Sequence, residues 1–302
     1  MRILIQFPEG LKKYAIEFAE KLEQEGNEVY ISASPCYGAC DLAIDEARAL
    51  KVDKIIHVGH NKFIKKDIDI EVEYIPFSID FPLDIVERET KKLVNIGIKS
   101  IALLTTVQHI HQIERMKDII EKNGIKVYLK KGYWATMPGQ VLGCDAIAAN
   151  INEADAVLFI GDGLFHPLAV NNGKRVFALN IGGLNEITHI IKNLEKRRKA
   201  NIIAAYNAKS FGILVSTKIG QYNIGQAKWA QEQIKKFNKK AAILVANELN
   251  PSSLYNFMSF DCYVNTACPR IVDDTEAYGK PIINMEMLKI VIDLWNQKAA
   301  NL

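Results

Sequence analysis

The sequence contains five cysteines, the side chains with the most distinctive potential chemistry. They are Cys36, Cys40, Cys144, Cys262 and Cys268. Their number is odd and most of their spacings are long, so a disulfide framework is not expected. The N-terminal run MRILIQFPEG is interrupted too soon for a signal peptide, which predicts a cytoplasmic protein in a reducing compartment. Metal binding, catalysis and plain burial remain as roles for these thiols.

Three of the cysteines follow predicted strands. Cys40 lies in SPCYGACDLA (34–43), Cys144 in GYWATMPGQVLGCDAI (132–147) and Cys268 in NTACPRI (265–271). Open parallel sheets bind ligands beyond the carboxyl ends of their strands. Cys40 and Cys144 each precede an aspartate and a helix-like start, where a helix N-terminus would stabilise a thiolate. Pro269 fixes the chain directly after Cys268.

One thiolate from each of three equivalent loops would supply three ligands at a shared axis. A four-iron cubane cluster held in this way keeps one iron open for a substrate. A catalytic zinc ion with one open position is an alternative. Three buried apolar thiols are another, because separations of 104 and 124 residues match no short metal motif. Cys36 and Cys40 lack the third cysteine of a C-x-x-x-C-x-x-C motif, so we expect Cys36 and Cys262 not to be ligands.

Short apolar runs bounded by turn residues predict the strands that position these loops. Most runs are continuously apolar, which is typical of parallel strands covered on both faces. They fall into three groups: ILIQF (3–7), VYISA (29–33), KIIHV (54–58) and VEYIPF (72–77); SIALLTT (100–106), KVYLKK (126–131), AVLFIG (156–161) and RVFALN (175–180); FGILVST (211–217), AAILVAN (241–247), CYVNT (262–266) and PIINM (281–285).

An amphipathic segment follows the first strand of each group, at 11–24, 110–123 and 224–237. Alternation of strands and helices favours parallel pairing through right-handed crossovers. The apolar stripes of these helices are Leu11, Ala15, Phe18 and Leu22; Ile110, Ile113, Met116 and Ile120; and Ala227, Ala230 and Ile234.

The first strands of the three groups begin near residues 3, 100 and 211, which indicates a repeat of about one hundred residues. We therefore predict an α/β fold of three similar units, each with a mainly parallel four-stranded sheet flanked by helices, around a pseudo-threefold axis. The predicted units are 1–98, 99–202 and 203–302, with Cys40, Cys144 and Cys268 respectively. A single continuous doubly wound sheet is the alternative.

The composition argues against two classes of function. The 302 residues include 38 basic and 35 acidic side chains, a net charge of +3, which does not provide the dense basic face of a nucleic-acid-binding protein. No segment reaches the roughly 18 consecutive apolar residues of a membrane span.

Seven short motifs, in order along nearly the whole chain, resemble the archaeal diphthamide-synthesis family, the 2-(3-amino-3-carboxypropyl)histidine synthases. They are FPEGL (7–11), PCYGACDLA (35–43), TTVQH (105–109), PGQVLGC (138–144), GDGLFHP (161–167), GQYNIGQ (220–226) and ACPRI (267–271). The resemblance implies three α/β domains, a homodimer and a 4Fe-4S cluster held by one cysteine per domain. Carried over by motif, the ligands are Cys40 in YGACDLA, Cys144 in QVLGC and Cys268 in ACPRI.

The resemblance also implies a reaction that begins with S-adenosylmethionine and one electron from an unidentified donor. The bond between sulfur and the γ-carbon of the methionine portion is cut, which releases methylthioadenosine and a 3-amino-3-carboxypropyl radical. The radical adds to a histidine of translation elongation factor 2, the first step of diphthamide biosynthesis. The protein must therefore place the γ-carbon, rather than the ribose 5′-carbon, beside the open iron.

Two loops are candidates for contacts with S-adenosylmethionine. Asp162, Gly163 and His166 in GDGLFHP can reach its amino, carboxylate or ribose groups, although a tight turn with local hydrogen bonds explains them equally well. Gly220 and Gln221 precede the long helix of the third group and can approach an anionic or adenine group at its N-terminus. A glycine turn with a surface amide is the alternative there.

Arg270 is a further candidate because it lies beside Cys268. Its guanidinium can pair with the methionine carboxylate in a bidentate fork. A structural ion pair with Asp273 or Asp274 is the alternative reading of the same residue.

Two other functions compete with the radical transferase. Quinolinate synthase also holds a four-iron cluster with three cysteines from three pseudo-symmetric units, and it uses the open iron as a Lewis acid. PGQVLGC and ACPRI fit the diphthamide-synthesis family better. The remaining possibility is a non-catalytic iron–sulfur or zinc scaffold, against which the open coordination position argues.

Overall fold

The computed structural model describes residues 1–64 and 67–300 of the chain. Within these residues the chain divides into two compact units, Met1–Ile191 and Lys192–Leu302. The first unit contains two sheets and the second contains one. The three predicted groups of strands therefore form three separate sheets, and the alternative of one continuous sheet is wrong. The predicted domain boundaries near residues 98 and 202 stay a prediction.

The first sheet consists of four parallel strands in the order β2-β1-β3-β4. These strands are β1 (Arg2–Gln6), β2 (Glu28–Ile31), β3 (Lys54–Val58) and β4 (Glu71–Ile75). The helices that accompany them are α1 (Ala15–Gln24) and α2 (Ile44–Leu50). Helix α3 (Leu83–Asn95) follows β4 along the chain, but its Val86 and Leu93 pack in the core of the second sheet. The helix predicted over 11–24 begins as a 3-10 turn at Glu9–Tyr14.

The second sheet has five strands in the order β6-β5-β7-β8-β9. They are β5 (Ser100–Thr105), β6 (Lys126–Tyr128), β7 (Ala156–Ile160), β8 (Arg175–Asn180) and β9 (Gly183–Glu186). Helix α4 (Ile113–Lys122) follows β5, and α5 (Thr188–Asn207) begins in the first unit and ends in the second.

The four predicted strands of this sheet are joined by a fifth, β9, which pairs antiparallel with β8. The sequence of β9, GLNE, is not continuously apolar and only its first residue is buried. The chain reverses at residues 181–182, where the Asn180 side-chain oxygen accepts the Gly182 N–H at 2.9 Å. An asparagine that bonds to a backbone group two residues on is typical of a tight turn.

The third sheet lies in the second unit and has the order β11-β10-β12-β13, with all pairs parallel. Its strands are β10 (Ser210–Ser216), β11 (Lys240–Ala246), β12 (Cys262–Asn265) and β13 (Ile282–Asn284). Its helices are α6 (Ile224–Lys236), α7 (Pro251–Leu254), α8 (Thr275–Tyr278) and α9 (Met285–Ala300).

Burial of the strands and helices agrees with the apolar patterns of the sequence. The central strands β5, β7 and β10 are buried along their whole length, as expected for parallel strands covered on both faces. The edge strands β2 and β11 are partly exposed. The predicted stripes of α4 and α6 face the core through Ile113, Met116 and Ile120 and through Ala227, Ala230 and Ile234.

An aspartate directly before the third strand of each sheet ties together the amino ends of two strands. In the second sheet the Asp155 carboxylate accepts the Ser100 N–H at 2.8 Å, and in the third the Asp261 carboxylate accepts the Ser210 N–H at 2.9 Å. In the first sheet the Asp53 carboxylate accepts the Arg2 N–H at 2.7 Å. We call these three side chains the aspartate clamps. Their recurrence at equivalent positions supports the predicted repeat.

The strand order places the loops that matter for function. In each sheet the first strand lies between the second and the third, so the connections that follow the first and the third strands run towards opposite edges of the sheet. Ligands of open α/β sheets bind at this point, outside the carboxyl ends of the strands. Residues 1–64 and 67–300 include no helix that is both long and apolar enough to span a membrane.

Replacing Asp155 or Asp261 with asparagine is expected to lower the free energy of unfolding by about 1 kcal/mol at neutral pH. Hydrogen bonds lower the pKa of both carboxyls, chiefly from the Ser100 hydroxyl to Asp155 and from the Lys209 N–H to Asp261. A carboxyl with a lowered folded pKa stabilises the fold above its unfolded pKa and loses that contribution as the pH falls through the folded pKa. Wild type and variants should therefore converge in acid.

Urea unfolding from neutral pH to about pH 2 measures this difference. The control is Asp118→Asn, on the exposed face of α4. A loss of stability in the control equal to that in the clamp variants would contradict the role assigned to the clamps.

Candidate functional site

Cys40 lies in the loop that follows β2. The Asp41 N–H donates to the Gly38 carbonyl at 2.9 Å, which closes a turn with Cys40 at its third position. The Asp41 side chain is buried, and its carboxylate accepts the Tyr37 N–H at 3.3 Å. Cys40 itself is only partly buried. The aspartate after the cysteine therefore holds the loop in shape, and α2 begins only at Ile44.

Gln6, the last residue of β1, anchors this loop to the sheet. Its side chain is buried, its Nε2 donates to the Asp41 carbonyl at 2.9 Å, and its Oε1 accepts the Ala43 N–H at 3.1 Å. The same Oε1 lies 3.0 Å from Nδ1 of His57, in β3. Because an amide oxygen only accepts, the network assigns a proton to Nδ1 of His57 and leaves its Nε2 as an acceptor.

His57 and His60 form a pair at the carboxyl end of β3, with His57 Nε2 2.9 Å from His60 Nδ1. Burial lowers the pKa of His57 to about 3, with a smaller contribution from the charge of His60. Burial also lowers the pKa of His60 to about 4, helped by the charge of His166. Both imidazoles are therefore neutral at neutral pH. The influence of His166 shows that the GDGLFHP loop lies near this pair.

Cys144 lies at the tip of a tight turn between Leu142 and Asp145. The Leu142 N–H donates to the Asp145 carbonyl at 3.0 Å, and the Asp145 N–H donates back at 3.1 Å. Cys144 is exposed, whereas the Asp145 side chain is buried and accepts the N–H groups of Trp134 at 2.6 Å and Ile147 at 3.1 Å. The predicted α-helix start after Cys144 is wrong, since only a 3-10 turn forms, at Ile147–Ala149.

Residues 139–141 attach the Cys144 turn to the end of β5. The Thr105 N–H donates to the Gly139 carbonyl at 2.8 Å, and the Val141 N–H donates to the Thr105 carbonyl at 2.9 Å. The Gln140 side chain is buried, and its Oε1 accepts the Thr136 N–H at 3.0 Å and the Thr136 hydroxyl at 2.8 Å. The PGQ part of the motif therefore connects the Cys144 turn to β5 and to the loop with Thr136.

The loop with Asp162, Gly163 and His166 packs against the Cys144 turn. A Cβ added at Gly143 would lie 2.0 Å from the Phe165 ring, so the ring covers the glycine next to the cysteine. Asp162 and Gly163 are exposed, and His166 is partly buried. Gly163 has a φ of +72°, which favours glycine. The structure thus brings this predicted loop to the cysteine, while the contacts assigned to its residues stay predictions.

In the second unit, Cys268 follows β12 and is partly buried. Asn265, at the end of β12, shapes its loop: Nδ2 donates to the Cys268 carbonyl at 2.8 Å and Oδ1 accepts the Ala267 N–H at 3.0 Å. Burial raises the pKa of the Cys268 thiol, and a hydrogen bond from the Arg270 N–H opposes that rise. A thiolate at this position therefore needs further compensation, which a bound metal would supply.

Arg270 is largely buried and forms the structural ion pair that is one of the two alternatives predicted for it. Its Nε donates to the Asp273 carboxylate at 2.8 Å. The other oxygen of Asp273 accepts from Arg198 at 2.7 and 2.9 Å. The ion pair fixes the guanidinium beside the Cys268 loop and does not test the predicted contact with a carboxylate of the substrate.

Gly220 and Gln221 lie in the loop between β10 and α6, next to the Cys268 loop. Gln221 is buried, and Asn223 two residues later donates through Nδ2 to the Thr266 carbonyl at 3.0 Å. Lys218 in the same loop is also buried and pairs with Glu248 at 3.0 Å. The buried lysine carries no sequence signal, since TKIG (217–220) looks like an ordinary turn.

The two cysteines predicted not to be ligands are both buried. Cys262 lies on β12 in the core of the second unit, where burial raises the pKa of its thiol well above its usual range. Cys36 is buried in the loop before Cys40. The three predicted ligands are partly buried or exposed, so burial distinguishes the predicted ligands from the predicted non-ligands.

Accessible thiols and polar side chains lie at the carboxyl ends of mainly parallel strands. This arrangement is typical of an α/β protein that binds a ligand at that end of its sheets, here with cysteine as the distinctive binding residue. The profile of the family described as "Putative diphthamide synthesis protein" matches residues 7–300. The chain therefore belongs to the diphthamide synthesis family.

Similar proteins agree over nearly the whole chain. The 2-(3-amino-3-carboxypropyl)histidine synthase of Pyrococcus horikoshii is 35% identical over 298 residues, which cover 97% of this chain and 86% of that protein. The enzyme of the same name from Methanocaldococcus jannaschii is 31% identical over 316 residues, 96% of this chain and 84% of that one. The crystal structure of Dph2 from Pyrococcus horikoshii with a 4Fe-4S cluster matches with a TM-score of 0.84 and 34% identity, covering 97% of this chain and 86% of that one.

Replacing Gly139 with alanine is expected to destabilise the fold by about 1 to 3 kcal/mol more than Gly124→Ala. Both glycines have positive φ, so the two variants share the cost of that conformation. Only at Gly139 would the new Cβ meet neighbours, at 2.2 Å from the Ile113 side chain and 2.9 Å from that of Leu129, whereas nothing lies within 4 Å at Gly124. Denaturant unfolding measures the difference, and equal losses would show that the contacts under the Cys144 loop can relax.

Proposed function

We propose that the chain is a 2-(3-amino-3-carboxypropyl)histidine synthase. It would transfer the 3-amino-3-carboxypropyl group of S-adenosylmethionine to a histidine of translation elongation factor 2, the first step of diphthamide biosynthesis. Family membership and the names of the archaeal relatives support this proposal. The observation that carries it is the accessibility of Cys40, Cys144 and Cys268, which lie in loops at the carboxyl ends of strands. The other two cysteines are buried.

The proposed ligands of a 4Fe-4S cluster are Cys40, Cys144 and Cys268. The donor set fits, because thiolates are the usual ligands of such clusters and three of them leave one iron open. Cys40 and Cys144 each occupy the third position of a turn closed by the next aspartate, and neither is fully buried. The Dph2 structure from Pyrococcus horikoshii contains a cluster of this type. When bound and reduced, the cluster supplies the electron that cuts the bond between sulfur and the γ-carbon.

The residues of this chain would bind and orient S-adenosylmethionine. Asp162 is exposed on the loop that packs against the Cys144 turn, where its carboxylate can accept from the amino or ribose groups. Gly163 leaves the backbone open to a close approach, since nothing lies within 4 Å of its Cβ position. His166 is partly buried on the same loop, and its ring nitrogens can donate or accept a hydrogen bond.

The other predicted contacts with S-adenosylmethionine are Gly220, Gln221 and Arg270. Gly220 and Gln221 precede α6 and are proposed to contact the adenine or an anionic group. Arg270 is proposed to pair with the methionine carboxylate through its guanidinium, which the bond to Asp273 fixes beside the Cys268 loop. Fixing the carboxylate would place the γ-carbon rather than the ribose 5′-carbon for cleavage.

The remaining parts of the proposal concern partners. The protein substrate would be translation elongation factor 2, and reduction needs an electron donor that neither the fold nor the site identifies. A homodimer is proposed because the family resemblance of the sequence motifs implies one, and the cytoplasmic location stays a prediction.

The decisive experiment is product analysis after anaerobic purification, reduction and addition of S-adenosylmethionine. Methylthioadenosine and a modified elongation factor 2 are the expected products. Deoxyadenosine would instead indicate cleavage at the ribose carbon. No cleavage at all would favour a Lewis-acid use of the cluster, as in quinolinate synthase, or a non-catalytic scaffold, and the proposed function would be wrong.

Cys40→Ala, Cys144→Ala and Cys268→Ala are each expected to lose most of the bound iron, because two thiolates hold a cubane cluster poorly. Cys36→Ala and Cys262→Ala should retain it. Iron analysis and the visible absorption of the reconstituted protein provide the measurement. Retention of a full cluster by any of the first three variants would remove that residue from the ligand set.

Replacing Arg270 with glutamine is expected to raise the KM for S-adenosylmethionine by roughly 10- to 100-fold, the value of a charge-assisted hydrogen bond. The iron content should stay unchanged. The matched control is Arg198→Gln, which removes the second partner of Asp273 and leaves Arg270 in place. If both variants raise the KM equally, Arg270 acts through the ion pair and not on the substrate.

A further inference from the structure

A second group of metal-binding side chains lies in the first unit and uses none of the proposed cluster ligands. One ligand atom from each of Cys36, His57 and His60 lies within 4.8 Å of the others. Cys36 and His57 are buried, and His60 is partly buried. The three residues come from the loop after β2, from β3 and from the loop after β3. Two segments that are separated along the chain, the loop with Cys36 and the end of β3, therefore meet at one point.

The hydrogen bonds of Gln6 prepare His57 for a metal. The amide orientation of Gln6 is fixed, because Nε2 donates to the Asp41 carbonyl and Oε1 accepts the Ala43 N–H. His57 Nδ1 must then donate to Oε1, and the lone pair of Nε2 points away from Gln6. Metal-bound histidines typically donate their other ring nitrogen to an acceptor of this kind, which sets the tautomer and the orientation of the ring.

His60 provides the second nitrogen of the group, next to the lone pair of His57 Nε2. Its Nδ1 lies 2.9 Å from His57 Nε2, so one proton is shared between the two rings in the metal-free chain. Two nitrogens and one sulfur bound to a tetrahedral zinc ion lie roughly 3.3 to 3.6 Å apart. A separation of 4.8 Å or less therefore closes to a zinc site with a shift on the order of 1 Å.

We propose that Cys36, His57 and His60 bind one Zn²⁺ ion, with solvent at the fourth position. Zinc fits because nitrogen and sulfur ligands in a tetrahedral arrangement are its preferred set. Binding forms one Zn–S and two Zn–N bonds and releases the Cys36 thiol proton. The proton between the histidines moves from Nδ1 to Nε2 of His60, which is partly exposed. No oxidation or reduction takes place.

The metal would fix the loop that carries Cys40. Cys36 lies four residues before Cys40 in the same loop, and its Sγ already lies 3.9 Å from the Asp41 carbonyl. Binding would tie this loop to β3 at a second point besides Gln6. The inference does not rest on the proposed function, because it uses residues outside the proposed cluster site.

The test uses the full chain with Cys40, Cys144 and Cys268 all replaced by alanine, so that any bound metal reports on the second site. The metal-stripped protein is titrated with Co²⁺ as a spectroscopic probe, followed by displacement with Zn²⁺. One equivalent of Co²⁺ with a thiolate-to-cobalt charge-transfer band is expected. Adding Cys36→Ser or His60→Gln should abolish the band or weaken binding by about 100-fold or more, and Gln6→Leu should weaken it by about 10- to 100-fold.

Cys262→Ser, at a buried cysteine in the second unit, is the matched control and should keep the full band and affinity. Circular dichroism and the thermal unfolding midpoint show whether each chain is folded. A folded parent chain that binds no stoichiometric Co²⁺, or a charge-transfer band that survives Cys36→Ser, would overturn the zinc site. Neither result bears on the cluster, whose ligands are absent from the chain under test.

Discussion

The loops at the carboxyl ends of the strands keep their shape because a few buried polar side chains satisfy backbone groups that the strands leave unpaired. Gln6 serves the Cys40 loop, Asp145 and Gln140 serve the Cys144 turn, and Asn265 serves the Cys268 loop. An unpaired polar group costs much more when it is buried, so each of these side chains is hard to replace. A site built on irregular backbone depends on such supports.

These supports also explain why the thiols differ in exposure. In the Cys40 and Cys144 turns, the aspartate that follows the cysteine points inwards and binds backbone N–H groups. Cys40, before such an aspartate, is partly exposed, and Cys144 is exposed. Cys36 and Cys262 are each followed by a tyrosine and are buried. In these two turns the aspartate takes the buried position and the cysteine keeps access to solvent.

Much of the fold could be predicted from the sequence, because continuous apolar runs are a direct consequence of parallel strands buried on both faces. All twelve predicted strands occur, and every strand end lies within three residues of the prediction. The strand β9 could not be found in this way, since GLNE has no apolar run and forms only because a turn at Asn180 brings it against β8. The short 3-10 start before α1 depends on tertiary packing, which helix periodicity does not describe.

The candidate site could be predicted only where its residues form local motifs. The loops with Cys40, Cys144 and Cys268 are visible as strand-end segments. The contact between His57 and Gln6 joins residues 51 positions apart, and nothing in KIIHV distinguishes its histidine from a core residue. The aspartates after Cys40 and Cys144 were visible, but they suggested helix starts, whereas their carboxylates bind the backbone of their own loops.

The aspartate clamps have a consequence for how the chain can change without losing its chemistry. They act at the amino ends of the strands, and the thiols lie in loops at the opposite ends. The clamps and the predicted reactive cysteines therefore lie at opposite ends of the strands of each sheet. A strand of five to seven residues separates the two ends by roughly 17 to 23 Å, so a substitution at a clamp is too far from the loops with Cys40, Cys144 and Cys268 to contact them directly.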